Sequence, residues 1–422
     1  MTPKTISEKV LSMRSATDAV AGDVVICDVD FILGTDASAP MAISYFEKMG
    51  GTHVRDPKRI FFALDHYSPP NSATTSRFHD QVRNFARHNG ILAYEVGDGI
   101  SHQIAVDRAH VRPGMLVVGA DSHTVTCGAM NVFATGVGSS DFAAAMLTGQ
   151  LWLRVPETIR VVIDGSRPRD LAAKDVALTM VSALGADGAE YHAIEFSGSA
   201  VADFSIDDRQ VLSNLAVEAG AKAAIWDSDE VLFDYLNSRG ADHGEPVTSD
   251  IGARFARELR IDLASLTPRV ALPHQPSNVV PIADVPETPI HMVFLGTCTG
   301  GRVSDYHDAV AVLERGGSRI ASGVQLVVTP ASGDVRRTLE ADGTLAKLER
   351  MGAIVTTAGC GACCGTSGVI PTDGMNVLST ANRNFKARMG NGAASIYLAS
   401  PAACAAAALT GRITDPRAVK PR

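Results

Sequence analysis

The stretch HMVFLGTCTGGR, from His291 to Arg302, places a cysteine directly after a short apolar run that ends at a glycine. Similar apolar runs recur along the chain of 422 residues, and stretches with helical spacing separate them. This alternation is typical of α/β proteins with parallel sheets. The sequence therefore predicts an α/β fold in which most of the sheets are parallel.

The length of the chain predicts two or three domains, at roughly 100–200 residues each. The segment 271–289 contains five prolines and little periodicity, which indicates a linker. A softer boundary lies near residues 153–157, where a helix-like stretch gives way to a strand-like one. We therefore expect three α/β/α units, at residues 1–154, 155–275 and 276–422.

The composition indicates a globular protein with small substrates. Apolar residues make up 45% of the chain, charged residues 20%, and the net charge is -8. Proteins that bind nucleic acid or anionic membranes need clustered Lys and Arg, so this balance argues against both partners. The pair Thr5 and Glu8 has the spacing of a capping box, which predicts a helix at the N-terminus rather than a signal peptide.

The seven cysteines are an odd number in a long chain. A secreted disulfide framework is therefore not expected, and a reducing cytoplasm fits better.

Reactive side chains follow candidate strands at six places. In open parallel sheets, ligands bind outside the carboxyl ends of the strands, where loops and helix N-termini converge. We therefore expect one site at these strand ends. The residues concerned are Asp65 and His66, His102, Asp121 with Ser122 and His123, Cys298, Cys360 with Cys363, and Asn382 with Arg383.

Cys360 and Cys363 form a C-x-x-C pair, and Cys298 is a candidate third thiolate from another strand end. A C-x-x-C pair alone is compatible with a redox dithiol, a zinc site or an iron-sulfur cluster. Glycine-rich surroundings favour the cluster, because they let backbone N–H groups approach the sulfurs. Three thiolates on a cubane cluster would leave one iron without a cysteine, and so an open Lewis-acid position.

The histidines and carboxylates near these strand ends match an acid-base site. A carboxylate beside an imidazole fixes its tautomer and raises its pKa. Each histidine alone is more commonly an ordinary core or surface residue, so their joint placement carries the prediction. The set comprises His66, His102 and His123 with Asp65, Asp121 and Glu195.

Arg383 and Arg388 lie five residues apart directly after a candidate strand. Each guanidinium group has the geometry to bind a carboxylate through two parallel hydrogen bonds. An isolated pair of arginines, however, ordinarily lies on a solvent-exposed surface. The neighbouring Asn382 and Asn384 favour a site, so we expect both arginines to bind substrate.

Taken together, these motifs resemble the aconitase superfamily, and within it the large-subunit group of 3-isopropylmalate dehydratase and homoaconitase. The likeness runs nearly from end to end. It comprises DVDFILGTDASAPMAI, LDHYSPP, GDGISHQ, GADSHTVTCGA, HAIEFSG, LGTCTGGR, GCGACCG and STANRNFKARMGN, in that order.

The resemblance implies that Cys298, Cys360 and Cys363 hold a four-iron, four-sulfur cluster with one iron free to bind substrate. It implies that Asn382 supports the cluster from behind. It also implies that Arg383 and Arg388 hold a substrate carboxylate or position the base.

For the acid-base groups, the resemblance implies three pairs. Asp65 would orient His66, Asp121 would pair with His102, and Glu195 would pair with His123, with Ser122 beside them. Such pairs would protonate the leaving hydroxyl and handle the iron-bound water.

In the split enzymes of this superfamily, a fourth, swivelling domain is carried by a small subunit. The resemblance therefore implies a heterodimer or heterotetramer, in which that subunit provides a serine base. On this basis the large chain alone is expected to be nearly inactive.

The implied reaction is dehydration and rehydration of a hydroxy di- or tricarboxylate, with 3-isopropylmalate in leucine biosynthesis as the leading substrate. Homocitrate and 2,3-dimethylmalate or citramalate are alternatives. A cluster- or zinc-binding regulatory protein without turnover, and a thiol redox protein, are alternatives from other classes. Two departures bear on the substrate: Gly300 replaces the usual Asn after the first cysteine, and Cys364 replaces a Leu and is expected to act as a small hydrophobe.

Overall fold

The computed structural model describes residues 2–421. These residues form three sheets and one two-stranded ribbon, and each sheet is built from a different part of the chain. Parallel pairs dominate all three sheets. The prediction of an α/β fold with mostly parallel sheets is confirmed.

The first sheet has five strands, all parallel, in the order β4-β3-β2-β5-β6. Strands β1 and β7 pair separately as an antiparallel ribbon. The strands are β1 Val24–Asp28, β2 Phe31–Thr35, β3 Ile60–Ala63, β4 Leu92–Tyr94, β5 Leu116–Gly119, β6 Phe133–Gly136 and β7 Gln150–Arg154. The helices are α1 Ile6–Ser15, α2 Ala39–Lys48, α3 Ala73–Asn89, α4 Ser101–Asp107 and α5 Ser139–Thr148.

The second sheet has four parallel strands in the order β10-β9-β8-β11. Its strands are β8 Thr158–Asp164, β9 Ala193–Ser197, β10 Ala223–Trp226 and β11 Arg257–Asp262. Its helices are α6 Ala173–Leu184, α7 Ile206–Ala216 and α8 Glu230–Ser238.

The third sheet has seven strands in the order β13-β12-β18-β17-β14-β15-β16, and only its β13-β12-β18 edge is antiparallel. Its strands are β12 Arg269–Ala271, β13 Val279–Pro281, β14 Met292–Gly296, β15 Gln325–Thr329, β16 Ile354–Val355, β17 Asn376–Ser379 and β18 Ser395–Ala399. Its helices are α9 Val303–Arg315, α10 Gly333–Ala341, α11 Thr344–Arg350 and α12 Pro401–Thr410.

The proline-rich segment 271–289 is not a free linker. Its strand β13 pairs with β12, which in turn pairs with β18 at the edge of the third sheet. Proline is tolerated at a sheet edge, where its missing N–H costs no ladder bond. The third sheet therefore begins at Arg269, ahead of position 276, and the three-unit division at 154 and 275 stays a prediction.

The sequence around the site strands explains their burial. Every residue of β3, β5 and β14 is buried, as expected for parallel strands that are covered by helices on both faces.

The capping box predicted for Thr5 and Glu8 is confirmed at the start of α1. None of the helices within residues 2–421 is long and apolar enough to cross a membrane.

A 3-10 segment, Ser122–Met130, joins the first sheet to the second. Its Gly128 packs so closely on β10 that an added Cβ would lie 1.8 Å from the carbonyl oxygen of Ala224. Just beyond it, the amide of Asn131 donates to the carbonyl oxygens of Trp226 and Val247, each at 2.8 Å. These contacts fix the segment that carries Ser122 and His123 against the second sheet.

Substituting Gly128→Ala should destabilise the chain, because the new methyl group can fit only if the 3-10 segment and β10 move apart. Overpacking of this kind costs about 1–3 kcal/mol, so the midpoint of thermal unfolding should fall. Gly392→Ala is the control, because a Cβ there would lie 3.7 Å from the nearest side-chain carbon. Equal midpoints for the two variants would contradict the close packing at Gly128.

Candidate active site

The carboxyl ends of strands from the first and third sheets face one shared space. Asp65 and His66 follow β3, and Asp121 with Ser122 and His123 follows β5. From the third sheet, Cys298 follows β14, Asn382 and Arg383 follow β17, and Cys360 and Cys363 follow β16 in a 3-10 turn, Gly361–Cys364. A side-chain hydrogen bond from Arg383 to Ser122 and a backbone hydrogen bond from Cys360 to Asp65 show that the two groups meet.

Carboxylates and imidazoles alternate in one continuous chain through the site. The Nδ1 atom of His66 lies 2.8 Å from Asp65 Oδ1, and its Nε2 lies 3.4 Å from Asp121 Oδ2. The other oxygen of Asp121 accepts the backbone N–H of His123 at 2.6 Å and lies 3.5 Å from its Nδ1. The Nε2 atom of His123 then lies 2.9 Å from Glu218 Oε1. Each ring is thus held between two carboxylates.

This alternation sets the charges of the site. Burial raises the pKa of Asp121, but the hydrogen bonds from His123 and His66 outweigh it and hold that pKa well below its usual range. Burial lowers the pKa of His66, yet the charges of Cys360 and Asp65 and the bonds to both aspartates raise it well above its usual range. Both shifts favour the negatively charged form of Asp121 and the positively charged form of His66.

The expected pairing of Asp121 with His102 is wrong. Both oxygens of Asp121 are occupied by His66 and His123. His102 lies in the first turn of α4, and neither of its ring nitrogens has a hydrogen-bond partner within the described part of the chain. Burial lowers the pKa of His102 to about 3, so this imidazole is neutral.

The expected pairing of Glu195 with His123 is also wrong. Glu195 lies inside β9 rather than at a strand end. Its Oε1 accepts the backbone N–H of Ile6 at 2.8 Å, and its Oε2 accepts the hydroxyl of Ser249. These bonds tie the start of α1 to the second sheet, and burial raises the pKa of Glu195 to about 7.

Glu218 is the partner of His123, and sequence reasoning missed it because it follows a helix instead of a strand. It lies in the 3-10 turn Val217–Ala219, directly after α7. The signal in the sequence is a row of polar residues four apart, Gln210, Asn214 and Glu218, with mostly apolar residues between them. Residues at that spacing share one helix face, and all three are buried.

The two arginines are held by different parts of the site. Arg383 donates through Nε to Glu218 at 2.8 Å and through Nη2 to the hydroxyl of Ser122 at 3.1 Å. Arg388 donates through Nη2 to the sulfur of Cys363 at 3.5 Å. Arg383 thus contacts the acid-base chain and Arg388 contacts one of the cysteines, and the role of both arginines in binding a carboxylate stays a prediction.

Asn382 links two of the three expected cysteine ligands. Its Nδ2 lies 3.4 Å from the sulfur of Cys298, and its Oδ1 lies 3.7 Å from the sulfur of Cys363. Cys298 and Cys360 pack in one apolar cluster with Ile100. The three thiols therefore converge at the end of the third sheet, and all are free.

Amide donors surround Cys298. Besides Asn382, the Nδ2 of Asn214 lies 3.1 Å from its sulfur. Such N–H donors to sulfur tune iron-sulfur sites, and thiolate ligands favour these clusters. Three convergent thiols with amide donors behind them therefore fit a cluster held by three cysteines.

The loop that carries Cys298 is fixed from behind. Arg302 is 1% exposed and donates through Nη2 to the carbonyl oxygen of Cys298 at 2.6 Å. Gly300 packs against Thr380, where an added Cβ would lie 2.2 Å from the Cβ of that residue. In this backbone no asparagine fits at position 300, and the amides near Cys298 come from Asn214 and Asn382 instead.

Cys364, the second departure, is half-buried with its sulfur 2.8 Å from the hydroxyl of Thr366.

A separate feature of the site is that Asp65, His66 and Cys360 bring one ligand atom each within 4.8 Å of one another. That set of one carboxylate, one imidazole and one thiol also suits a single metal ion.

Buried acid-base groups, two arginines and three thiols at the ends of mostly parallel strands define an α/β enzyme. The family model of the aconitase family (aconitate hydratase) matches residues 8–411. The chain belongs to the aconitase family, and it is a hydro-lyase.

Similar proteins of known name span the whole chain. A 3-isopropylmalate dehydratase large subunit 1 of Methanopyrus kandleri is 44% identical, over 98% of this chain and 99% of the relative. A 3-isopropylmalate dehydratase large subunit 1 of Thermotoga maritima is 42% identical over the same shares. A probable methanogen homoaconitase large subunit of Methanosarcina mazei is 41% identical, over 94% of this chain and 100% of the relative.

Among solved structures, the holo-form of Thermococcus kodakaraensis aconitase X has a similar fold. It matches with a TM-score of 0.52 at 13% identity, over 90% of this chain and 89% of that one. At this identity the likeness shows the fold alone.

Glu195 should make the stability of the chain depend on pH. Because burial raises its pKa from the usual 4.5 to about 7, the folded state loses stability as the pH rises between these values. Glu195→Gln should abolish that loss, which amounts to a few kcal/mol at most, since one pKa unit is about 1.4 kcal/mol. Thermal unfolding of both proteins across this pH range measures it. Parallel pH profiles would refute the assignment.

Proposed function

We propose that this chain is the large subunit of a hydro-lyase that removes water from a hydroxy di- or tricarboxylate and adds it back, with 3-isopropylmalate as the leading substrate. The observation that carries the proposal is the contact of an acid-base chain from the first sheet with cysteine-bearing loops of the third. The backbone N–H of Cys360 makes this contact by donating to the carbonyl oxygen of Asp65 at 3.0 Å. From the neighbouring loop after β17, Arg383 adds bonds to Ser122 and Glu218. The names of the similar proteins support the substrate and the division into subunits.

In this proposal, Cys298, Cys360 and Cys363 hold a four-iron, four-sulfur cluster. When bound, the cluster supplies an iron without a cysteine ligand, which polarises the C–O bond of the substrate hydroxyl as a Lewis acid. Asn214 and Asn382 stabilise negative charge on the Cys298 sulfur through their amide N–H groups.

All seven cysteines of the chain are free thiols, which supports the cytoplasmic location that we also propose.

The arginines orient the substrate. A carboxylate that binds Arg383 or Arg388 can accept two parallel N–H bonds from a planar guanidinium. Glu218 and Ser122 fix the plane of the Arg383 group before substrate arrives. The same positive charge stabilises the negative charge that grows on that carboxylate as the neighbouring C–H bond breaks.

The imidazoles move the protons. The bond from His66 Nδ1 to Asp65 fixes one proton at Nδ1 and directs Nε2 toward Asp121 and the site. A protonated Nε2 is then the acid for the leaving hydroxyl. Asp121 lies between His66 and His123, so it can stabilise a positive charge on either ring. The base that removes the proton from carbon is proposed to come from the small subunit.

The test is to co-express the chain with its small-subunit partner without oxygen and to analyse iron and acid-labile sulfide. Isopropylmalate, homocitrate, citramalate and 2,3-dimethylmalate are then supplied in turn, and ultraviolet absorbance of the unsaturated intermediate is followed. We expect a signal, strongest with isopropylmalate. An intact cluster with no signal from any of the acids would refute the hydro-lyase proposal. If homocitrate were turned over fastest, the proposed substrate would change and the reaction class would stay.

A second candidate, a zinc-binding protein without turnover, is favoured by the proximity of Asp65, His66 and Cys360. The same preparation separates the two. A protein with one zinc ion and no sulfide, whose metal content survives Cys363→Ser but not Cys360→Ser, would support the zinc site. Loss of iron in both variants would support the cluster.

Glu218 and Glu195 form a matched pair for testing the acid-base chain, since both are buried glutamates from the second sheet region. Glu218→Gln removes the charge that holds both His123 and Arg383, so kcat should fall about 10²-fold or more, and KM should rise. Glu195→Gln should keep wild-type turnover, because its carboxylate contacts Ile6 and Ser249. Steady-state kinetics at matched iron content measure both variants. An equal loss in the two would refute the reassignment.

A further inference from the structure

Lys174 is a buried lysine for which the proposed mechanism has no role. It is the second residue of α6, and its side chain is 1% exposed. Its ammonium group donates to the hydroxyl of Thr299 at 3.2 Å and to the carbonyl oxygens of Thr380 and Ala381 at 2.9 and 2.6 Å. These three acceptors use all three N–H groups of a protonated lysine.

The acceptors lie on two different loops of the third sheet. Thr299 follows the ligand Cys298, and Ala381 precedes Asn382, whose amide also reaches the Cys298 sulfur. Thr299 itself donates to the carbonyl oxygen of Thr380 at 2.7 Å. Lys174 therefore fastens the loop of the first thiol to the loop of its amide donor, from a helix that belongs to the second sheet.

Among residues 2–421, no carboxylate is hydrogen-bonded to the ammonium group of Lys174. A buried cation is costly unless other groups compensate it, and here the compensation comes from carbonyl and hydroxyl oxygens. Burial lowers its pKa to about 8, while the nearby thiols of Cys298, Cys404 and Cys363, together with Asp305, act in the opposite direction. Ionised sulfur at Cys298 or Cys363 would thus be stabilised by the positive charge of Lys174.

We propose that Lys174 is a positioning residue of the cysteine site, which joins the Cys298 and Asn382 loops and places a buried positive charge behind the thiolates. This inference rests on the proposed function, because it assumes that the thiolates hold a cluster. Adding an electron makes a cluster more negative, and a nearby cation favours that state. Lys174 should therefore raise the reduction potential and slow the loss of the cluster.

The two roles can be separated by substitution. Lys174→Met removes both the charge and the three hydrogen bonds, whereas Thr299→Val keeps the charge and removes one acceptor. Lys174→Arg keeps the charge in a different shape. Lys222→Met is the control, because Lys222 directly precedes a strand of the second sheet and is partly buried. Within the described part of the chain, its ammonium group makes one hydrogen bond, to the carbonyl oxygen of Gly136 at 3.3 Å.

The experiment uses the assembled two-subunit enzyme and three readouts besides activity. These are iron and sulfide per chain, the reduction potential from an electron paramagnetic resonance titration, and the rate of iron loss to a chelator. Lys174→Met should lower the potential and lose iron about 10–100-fold faster, the range typical for residues that support metal ligands. Thr299→Val should lose iron faster with little change in potential, and Lys174→Arg should restore the potential.

A Lys174→Met protein with wild-type potential and iron loss would overturn this inference and leave the proposed function intact. A wild-type protein that assembles no cluster would overturn both. Thermal unfolding of each variant checks the fold. If Lys174→Met does not fold, Thr299→Val and Lys174→Arg decide the question, and wild-type iron loss in Thr299→Val would count against the positioning role.

Discussion

The carboxylate of Asp121 is the group on which the rest of the site depends. A mostly buried carboxylate is stable only when hydrogen-bond donors and positive charge compensate it, and here His66 and His123 do so from either side. Each imidazole then needs its own partner, which places Asp65 behind His66 and Glu218 behind His123. Glu218 in turn holds Arg383. One buried charge thereby fixes the positions of five other side chains.

The fold and most of the site could be predicted from the sequence, because both follow from local pattern. Apolar runs that end in reactive residues predict parallel strands and a common site, and Asp65, Asp121, Cys298 and Arg383 lie at strand ends as expected. The pairing of side chains within the site could not be predicted in the same way. Hydrogen-bond partners far apart in the chain depend on distances between side chains, and spacing along the sequence does not encode them.

The two wrong pairings illustrate this limit. The side chain of His102 is buried, and its ring nitrogens have no hydrogen-bond partner in the described part of the chain. The side chain of Glu195 accepts a hydrogen bond from the start of α1. Glu218 could not be predicted from strand ends, because it follows a helix and is marked only by its four-residue spacing from Asn214 and Gln210. The edge strand β13 was missed for a similar reason, since its prolines resemble those of a linker.

A row of polar residues that runs from α7 into the 3-10 turn after it links the two sides of the site. Gln210 accepts from Arg302, Asn214 contacts the Cys298 sulfur, and Glu218 holds His123 and Arg383. Along a helix axis, positions four residues apart are separated by about 6 Å, and a helix resists compression along its axis. The second sheet region contributes no thiol and no imidazole to the site. Its helix instead sets the distance between the cysteines and the acid-base chain. A one-residue insertion after Asn214 would turn Glu218 by about 100° around the axis, and would thereby deprive both His123 and Arg383 of their carboxylate partner while leaving Asn214 beside the Cys298 sulfur.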